Sequence, residues 1–366
     1  MVLKISIAHE NISEKDAIGH DILGMAKLLR ELGVEVTLFG QNFSEGVCEQ
    51  YNTCCSMESL IENKSSILIY HHSVYWEEGS ELLENFKGEI IFKFHNVTPF
   101  HYFSKYSALY EDFCKKGNSQ TKELLFKFQD SLWISDSKFN QNQLKEINSN
   151  AKKLAVCPPL HLFDISFPET ARNLNHLICV GRLVPNKGHK TLLRVFRYYR
   201  EFFNANAKLE IIGNSDLNLK SYRCEILELA KILNIEPFIK LSSDLSQPEL
   251  FEKYKVASLI LCFSEHEGFC VPIIEAQSMG LPVLSARAGA IEETVGRKQL
   301  IDTYPKKDSE YFYYAKLIDE IVSNEKLRKF VINEGYKNFT THYDRNVIAD
   351  LFSELLFPVL KRNSSL

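Results

Sequence analysis

Two glutamates separated by seven residues, Glu267 and Glu275, lie in a stretch that suits a charged ligand rich in hydroxyl groups. Residues 257–263 form a short and largely apolar run, which is typical of a buried strand. Pro272 suits the first turn of a following helix and Gly280 suits its end. A carboxylate accepts hydrogen bonds from vicinal hydroxyls, so we expect one glutamate to hold a ribose and the other a sugar. The alternative is a solvated loop glutamate beside one that caps the helix.

The loop between the two glutamates leads into the N-terminus of the predicted helix. Its backbone N–H groups, from residues 269–273, would be unpaired where the helix dipole is positive, which favours binding of a phosphate. Gly268 allows the backbone to approach a ligand closely. We therefore expect Gly268, Phe269, Cys270 and Val271 to line a binding site for the donor of a phosphate-linked group.

Two cations, Arg182 and Lys187, follow a predicted strand at 176–180. A nucleotide diphosphate develops negative charge as it leaves, and fixed cations together with helix N–H groups stabilise that charge. Arg182 and Lys187 are candidates for this role. A metal ion is not required if these side chains supply the positive charge, so we expect no metal and no cofactor.

Together these motifs resemble the family 4 retaining glycosyltransferases of the GT-B fold, whose signature is two glutamates separated by seven residues. The resemblance covers nearly the whole chain and is strongest over 177–293. The matching segments are Val180-Gly181-Arg182-Leu183, Asn186-Lys187-Gly188, Glu267-Gly268-Phe269, Glu275-Ala276 and Gly280-Leu281-Pro282-Val283. The resemblance implies that Arg182 and Lys187 hold the donor diphosphate. It also implies that Glu275 binds the ribose and that Glu267 contacts the hydroxyls of the transferred sugar.

The resemblance further implies a reaction. A hexose would move from a nucleotide diphosphate sugar, a UDP-sugar first and GDP-mannose second, to an acceptor hydroxyl with formation of an α-linkage. Ser242 lies on a loop where the family contacts the base, and Cys270 stands where the family often has glycine, which bears on donor preference. The alternatives are a sugar-nucleotide epimerase or phosphorylase of the same fold, and a non-catalytic nucleotide-sugar-binding protein.

The first third of the chain has the strand–helix–strand pattern of a parallel α/β unit, in which ligands bind beyond the carboxyl ends of the strands. Gly19 precedes the first predicted helix, where a structural turn and a close approach to the donor phosphate are equally compatible with glycine. His95 follows a predicted strand at 90–94 and is placed to face a ligand, with a structural role as the alternative.

The run His95-Asn96-Val97-Thr98-Pro99 resembles a subgroup of bacterial polysaccharide and lipopolysaccharide glycosyltransferases. This resemblance implies that His95 approaches the distal hydroxyls of the donor sugar. It also implies an acceptor that is a saccharide of a surface glycan or a lipid-linked saccharide.

The predicted fold class is α/β, with two Rossmann-like domains that face each other across a cleft. We place an N-terminal, acceptor-binding domain at 1–158 and expect a helix at about 346–366 to complete it. A C-terminal, donor-binding domain occupies 159–345. Residues 160–175 lack clear periodicity and are interpreted as a linker.

Composition indicates the class of protein and its compartment. The chain has 366 residues, 45% of them hydrophobic and 25% charged, which is ordinary for a globular protein. Its net charge of −4 argues against nucleic-acid binding. Nine cysteines without a Cys-x-x-Cys pair indicate a reducing cytosol and argue against a zinc site.

The N-terminal apolar run is too short for a signal peptide, and no segment has the length of a membrane span, so we expect a cytoplasmic location. A predicted helix carries Arg194, Arg197 and Arg200 on one face. Such a face allows peripheral contact with the inner surface of a membrane, and a solvated helix face is the alternative.

Overall fold

The computed structural model describes residues 3–56, 66–161, 172–296 and 299–364. The chain divides into two compact units: unit 1 is Met1–Pro99, Phe113–Phe163 and Tyr343–Leu366, and unit 2 is Phe100–Asp112 and Asp164–His342. The predicted division put residues 100–112 in the first domain and ended that domain at 158. In the structure, residues 100–112 are grouped with unit 2 and the main division follows Phe163.

Unit 1 is built on a parallel sheet whose strands, in the part of the chain that the structure describes, run in the order β5-β3-β1-β6-β7-β8-β9. A small pair, β2 with β4, lies beside it. The strands are β1 Lys4–Ala8, β2 Asn11–Ile12, β3 Glu35–Phe39, β4 Asn42–Phe43, β5 Asn52–Cys54, β6 Ile67–His72, β7 Glu89–Phe94, β8 Leu132–Ser135 and β9 Leu154–Val156. Alternate residues of β6 pack into two cores, with Ile67 and Ile69 in one and Leu68 and Tyr70 in the other. Both faces of this strand are therefore buried, as expected for a parallel sheet covered on each side.

The first five described helices connect these strands. They are α1 Ala17–Glu31, α2 Glu45–Gln50, α3 Glu77–Asn85, α4 Ala108–Lys127 and α5 Lys138–Ile147. The helix α1 begins where the Asp16 side chain accepts a hydrogen bond from the Gly19 N–H at 2.8 Å. The Ser137 hydroxyl accepts from the Asn140 N–H at 3.1 Å, so Ser137 is the N-cap of α5.

Unit 2 contains a second parallel sheet, in the order β12-β11-β10-β13-β14-β15 among its described residues. The strands are β10 Asn173–Val180, β11 Lys208–Ile212, β12 Ile239–Ser242, β13 Ala257–Cys262, β14 Val283–Ala286 and β15 Leu300–Asp302. The helices are α6 His189–Phe202, α7 Lys220–Ile232, α8 Gln247–Val256, α9 Val271–Ser278, α10 Ile291–Val295, α11 Asp308–Ser323 and α12 Glu325–His342. Apolar side chains from β10, β11 and β13 meet those of α6 and α11 in the larger of its cores.

The predicted linker at 160–175 is wrong at its C-terminal end, and 162–171 lie outside the described residues. The strand β10 already begins at Asn173. The guanidinium of Arg172 donates to four backbone carbonyl oxygens, those of Tyr254 at 2.7 Å, Lys255 at 3.2 Å, Ala257 at 3.0 Å and Met279 at 2.7 Å. These hydrogen bonds attach the residue before β10 to the end of α8, to the first residue of β13 and to the residue that follows α9.

The last helix, α13 at Arg345–Ser364, belongs to unit 1. It places Ile348, Phe352, Leu356 and Val359 in the core that also contains residues of α1, β1 and β3. Among the described residues, no helix combines the length and the apolar character needed to cross a bilayer.

In each of the two larger sheets, as far as the structure describes them, there is one point where successive strands are added on opposite sides of the first strand. In unit 2 this point lies between β10 and β13, and in unit 1 it lies between β1 and β6. Loops that follow adjacent strands diverge there, which opens a crevice at the carboxyl ends of the strands.

Candidate functional site

The predicted cations and carboxylates of unit 2 follow the two strands on either side of its crevice. Gly181 and Arg182 come directly after β10, and Glu267 follows the end of β13 by a few residues. Lys187 ends a short 3-10 helix at Pro185–Lys187 that leads into α6. The parallel pairing of β10 with β13 brings these loops to the same edge of the sheet.

Lys187 and Glu267 form a partly buried ion pair. The Lys187 Nζ lies 2.7 Å from Glu267 Oε1, and the side chains are 19% and 8% exposed. The Ser264 hydroxyl donates to the same oxygen at 2.7 Å. Burial lowers the pKa of Lys187, but the negative charge of Glu267 more than offsets it, so the pKa of Lys187 is raised and its ammonium is charged at neutral pH. The pair therefore presents a fixed cation beside a fixed carboxylate.

Backbone contacts hold the two loops that carry this pair. The Glu265 N–H donates to the Asn186 carbonyl oxygen at 2.7 Å, and the Asn186 side chain donates to the His266 carbonyl oxygen at 3.2 Å. Gly188, with φ +66°, comes so close to the β13 loop that a Cβ atom there would lie 1.8 Å from the Phe263 carbonyl oxygen. Only glycine allows this approach, because any side chain would force the loops apart.

Glu275 is held from beneath by a tyrosine. Its Oε2 accepts a hydrogen bond from the Tyr254 hydroxyl at 2.7 Å, and only 6% of Glu275 is exposed. Burial, together with the nearby Glu275 charge, raises the pKa of Tyr254 well above its usual value, so the hydroxyl stays protonated and donates. Glu275 is the fifth residue of α9, so it lies on the second turn of that helix.

The loop from Gly268 to Val271 leads into α9 as predicted, with an unusual backbone at Cys270. Cys270 has φ +79° and ψ +67°, a left-handed conformation that suits glycine better than cysteine. Phe269 and Cys270 are buried, whereas Gly268 and Val271 are half-buried. The Ile273 N–H donates to the Cys270 carbonyl oxygen at 3.1 Å, so the expectation that it is unpaired is wrong.

Arg182 and Ser242 lie at the same carboxyl edge of the sheet but are not members of the ion pair between Lys187 and Glu267. Arg182 is exposed. Burial by itself raises the pKa of Asp216, but hydrogen bonds to Asp216 and the charge of Arg182 lower this pKa overall. The Ser242 hydroxyl donates to Glu210 Oε1 at 2.6 Å. A depression of about 60 Å³ opens beside Ser242, lined by Leu183, Ile211, Gly213, Ser215, Arg223, Leu241, Ser242 and Ser243.

In unit 1, His95 uses both ring nitrogens in contacts with other side chains. Its Nδ1 lies 2.8 Å from Asp136 Oδ2, and its Nε2 lies 2.8 Å from His71 Nδ1. The two imidazoles are stacked with their centroids 5.0 Å apart. The structure therefore brings His95 into a histidine–aspartate network at the carboxyl ends of β6, β7 and β8, and any contact of His95 with a sugar remains a prediction.

A buried lysine lies at the centre of this network. Lys93 Nζ is 2.5 Å from Asp136 Oδ1 and 3.7 Å from Asp21 Oδ2, and it donates to the Cys157 carbonyl oxygen at 2.6 Å. The Lys93 side chain is fully buried. Burial lowers its pKa, but the charges of Asp136 and Asp21 reverse the effect and raise it overall. Asp21 also accepts from the Leu160 N–H at 2.6 Å, so this cluster connects α1, β7 and the ends of β8 and β9.

Gly19 is the third residue of α1, so the prediction that it precedes this helix is wrong, and its position there imposes a steric requirement. A Cβ atom at this position would lie 1.7 Å from the Ser13 carbonyl oxygen, so the loop before α1 crosses directly over the glycine. Gly19→Ala should lower the free energy of unfolding of unit 1 by about 1–3 kcal/mol, the usual cost of overpacking. Both tryptophans of the chain, Trp76 and Trp133, lie in unit 1, so urea unfolding followed by tryptophan fluorescence measures this unit.

Lys27→Ala is the matched control for this measurement, because Lys27 is an exposed residue of the same helix. It should leave the unfolding midpoint unchanged. An unchanged midpoint for Gly19→Ala would contradict the close approach of Ser13 and would favour a binding role for the glycine.

Several residues of these sites were not identified from the sequence. Tyr254 lies on a helix that carries no motif, and the side chain of Lys93 interrupts the apolar run that follows Glu89 in β7. A charged residue in the middle of a buried strand is the one signal that could have indicated the network of unit 1, because a buried charge requires partners. Nothing in the local sequence indicates Tyr254.

The basic face predicted for α6 is largely engaged within unit 2. Arg197 pairs with Glu201 at 3.1 Å, and the Arg200 guanidinium lies over the Phe238 ring at 3.2 Å from its centroid. Arg194 donates to the Lys190 carbonyl oxygen at 3.2 Å. Contact of this face with a membrane remains a prediction.

Much of unit 2 is similar in sequence to a known protein family. Residues 164–338 match the family model described as glycosyl transferases group 1. Residues 164–338 are therefore similar to a group 1 glycosyltransferase domain. The resemblance to family 4 glycosyltransferases is thereby confirmed.

Individual relatives match part of this chain over part of their own length. The chain is 28% identical over 130 residues to the lipopolysaccharide 1,2-N-acetylglucosaminetransferase of Salmonella typhimurium, which covers 34% of this chain and 33% of that protein. It is 30% identical over 130 residues to the MMP alpha-(1->4)-mannosyltransferase of Mycolicibacterium hassiacum, covering 35% and 30%. The matches thus span about a third of the length of these curated relatives.

Solved structures match nearly the whole chain. Anabaena Alr3699/HepE in complex with UDP-glucose aligns with a TM-score of 0.76 at 15% identity, covering 97% of this chain and 100% of that one. WaaG, a glycosyltransferase involved in lipopolysaccharide biosynthesis, aligns with a TM-score of 0.73 at 12% identity, covering 96% and 99%. These similarities confirm the predicted fold class, α/β with two Rossmann-like units as in GT-B proteins.

Proposed function

We propose that this protein transfers a hexose from a nucleotide diphosphate sugar to an acceptor hydroxyl. A UDP-sugar is the first candidate for the donor and GDP-mannose the second. The observation that carries the proposal is the Lys187–Glu267 pair at the crevice of unit 2, with the buried carboxylate of Glu275 on the helix that follows. That arrangement offers a cation for a diphosphate and carboxylates for hydroxyl groups at both ends of the donor.

The proposed roles follow from charge and position. Lys187, Arg182 and the N-terminus of α9 would stabilise the negative charge that develops on the leaving diphosphate. Glu267 would accept hydrogen bonds from hydroxyls of the transferred sugar, and Glu275 from the ribose. Because Lys187 is charged and lies 2.7 Å from Glu267, donor binding would place the phosphate next to the existing cation rather than require a new one. We therefore propose a transfer that does not depend on a metal ion.

We also propose retention of anomeric configuration, with an α-linkage in the product. In such a same-face substitution, the oxygens of the leaving phosphate help remove the proton of the acceptor hydroxyl as the glycosidic bond breaks. The acceptor is proposed to be a saccharide of a surface glycan or a lipid-linked saccharide. Support for this acceptor class comes from the similarity to proteins named for lipopolysaccharide synthesis.

A thermal-shift screen followed by a release assay tests the proposal. UDP-glucose, UDP-N-acetylglucosamine, GDP-mannose and the free nucleotides are each added to the full chain. A ligand at 100 times its dissociation constant stabilises the native state by about 2.7 kcal/mol, which gives a readable shift. The proposal predicts that one nucleotide sugar stabilises the protein and that saccharide acceptors accelerate nucleotide release from it. Stabilisation without release under any acceptor would support a binding protein, and an epimerised donor would support an epimerase.

Glu275→Gln should weaken binding of the donor nucleotide. A hydrogen bond to a charged group contributes about 1.5–3 kcal/mol, so we expect roughly a 10- to 100-fold rise in the dissociation constant. Isothermal titration of the free nucleotide measures this directly. The control is Glu252→Gln, an exposed glutamate paired with Lys255, which should bind the nucleotide like the parent. Equal affinities for Glu275→Gln and the parent would remove Glu275 from the proposed site.

A further inference from the structure

Two cysteines lie on either side of Glu267 and face each other. Cys262 ends β13 and Cys270 precedes α9, and their sulfur atoms are 3.8 Å apart. Both residues are buried, at 9% and 7% exposure. A carboxylate oxygen of Glu267 lies within 4.8 Å of both sulfurs. Seven residues separate the two cysteines in the chain, so the pair does not have the Cys-x-x-Cys spacing typical of zinc ligands.

The separation of the two sulfurs matches that of two thiolates on one zinc ion. With zinc–sulfur bonds of about 2.3 Å and a tetrahedral angle, two such sulfurs lie roughly 3.8 Å apart. A disulfide would instead require a separation of about 2.0 Å. A third ligand from a carboxylate and one open position complete a common zinc arrangement. The side chains of Cys262, Cys270 and Glu267 are thus placed for a metal without movement of the two sulfurs relative to each other.

We propose that Cys262, Cys270 and Glu267 form a Zn²⁺ site that blocks the crevice of unit 2. Binding breaks the two S–H bonds, forms two Zn–S bonds and releases two protons to solvent. Two thiols, the Glu267 carboxylate and the Lys187 ammonium have no net charge. The same groups as two thiolates with Zn²⁺ are also neutral, so the ion enters this buried position without leaving an uncompensated charge.

The inhibitory part of this inference rests on the proposed function. A Glu267 carboxylate that ligates zinc is no longer available to the hydroxyls of the donor sugar, and the ion adds a bulky group beside Lys187. Zinc and a nucleotide sugar should therefore exclude each other. Chelation of the metal should leave the transfer rate unchanged or raise it, in contrast to an enzyme that uses zinc for catalysis.

Cobalt is a suitable probe of the site because thiolate–cobalt bonds absorb light in the near ultraviolet, whereas oxygen and nitrogen ligands do not give this band. The full chain, reduced and freed of metal, is titrated with Co²⁺ and then with Zn²⁺. We expect one equivalent of Co²⁺ to produce the thiolate band and Zn²⁺ to abolish it. Absence of the band in the reduced protein would overturn the site.

Two variants and a control connect the signal to these sulfurs. Cys270→Gly removes one ligand at a backbone position with φ +79°, where glycine is favoured, so the variant should fold. Cys262→Ser removes the other ligand with little change in volume. Each should weaken metal binding by more than the roughly 10- to 100-fold that loss of an outer-shell partner costs. Cys224→Ser, at an exposed cysteine of α7, should bind like the parent. A band that survives in both ligand variants would overturn the proposal.

A second measurement separates this site from the proposed function. The dissociation constant of Zn²⁺ is measured with and without the nucleotide sugar that the thermal-shift screen identifies. Mutual exclusion supports both proposals. If the dissociation constant of Zn²⁺ at the cysteines is the same with and without the nucleotide sugar, the zinc site is supported but its inhibitory role is overturned. If the protein binds no nucleotide sugar, the proposed function fails while the cobalt titration still decides the metal site.

Discussion

Replacement of Lys187 by alanine is expected to lower the turnover number of sugar transfer by about 100- to 1,000-fold, as loss of one electrostatic donor does in other enzymes. The Lys187 ammonium is a partly buried cation 2.7 Å from Glu267, and its removal takes away the positive charge proposed to stabilise the leaving diphosphate. Transfer is measured as release of the nucleotide in the presence of acceptor. Lys190→Ala is the matched control, because Lys190 lies on the adjoining helix and pairs with Glu225 at 2.8 Å. That variant should retain the parent rate.

Loss of Lys187 also leaves the Glu267 carboxylate without its ion-pair partner, which could lower activity through misfolding. The double variant Lys187→Ala/Glu267→Gln separates these effects, because it removes the unpaired charge. It should recover thermal stability relative to Lys187→Ala and remain inactive. A Lys187→Ala protein that folds and transfers sugar at the parent rate would contradict the role of this cation.

Lys93→Met is expected to lower the free energy of unfolding of unit 1 by about 3–5 kcal/mol, the usual cost of removing one partner from a buried ion pair. Methionine approximates the volume of the lysine stem, so the loss reflects charge and hydrogen bonds rather than a cavity. It would leave Asp136 and Asp21 without the cation that lies 2.5 Å and 3.7 Å from their oxygens. Urea unfolding followed by tryptophan fluorescence reports on unit 1 alone.

The control for Lys93→Met is Lys127→Met, which removes an exposed partner of Glu84. Solvent compensates the charges of an exposed pair, so the midpoint should stay close to that of the parent. If the two variants unfolded at the same urea concentration, the network around Lys93 would not stabilise unit 1.

The parts of this structure that could be predicted from the sequence are local. The strand before Glu267 was predicted at 257–263 and is observed at Ala257–Cys262, because a short apolar run between turn residues has few alternatives. The loop into α9 was located by Pro272 and the two glutamates. Motif spacing also placed Lys187 and Glu267 in one site, since both follow strands of a parallel sheet.

The parts that could not be predicted depend on contacts between distant segments. Lys93 meets Asp21 and Asp136 only after three elements of unit 1 assemble, and local periodicity contains no information about that assembly. The same holds for residues 100–112, which are flanked by unit 1 but grouped with unit 2: the Tyr110 hydroxyl donates to Asp216 at 2.8 Å and Tyr106 accepts from Lys190 at 2.7 Å. Contacts of this kind, between segments far apart in the chain, leave no pattern in the local sequence.

The position of α13 in the chain has a consequence for biosynthesis. The α13 residues Ile348, Phe352, Leu356 and Val359 fill a core whose remaining buried members are made before residue 161, yet the ribosome must first translate all of unit 2. At roughly 5–20 residues per second, that interval lasts about 10–40 s. During it, the nascent N-terminal segment exposes the apolar surface that α13 will cover, and is a substrate for chaperones that bind such surfaces. A circular permutant that begins with α13 should need less of their assistance.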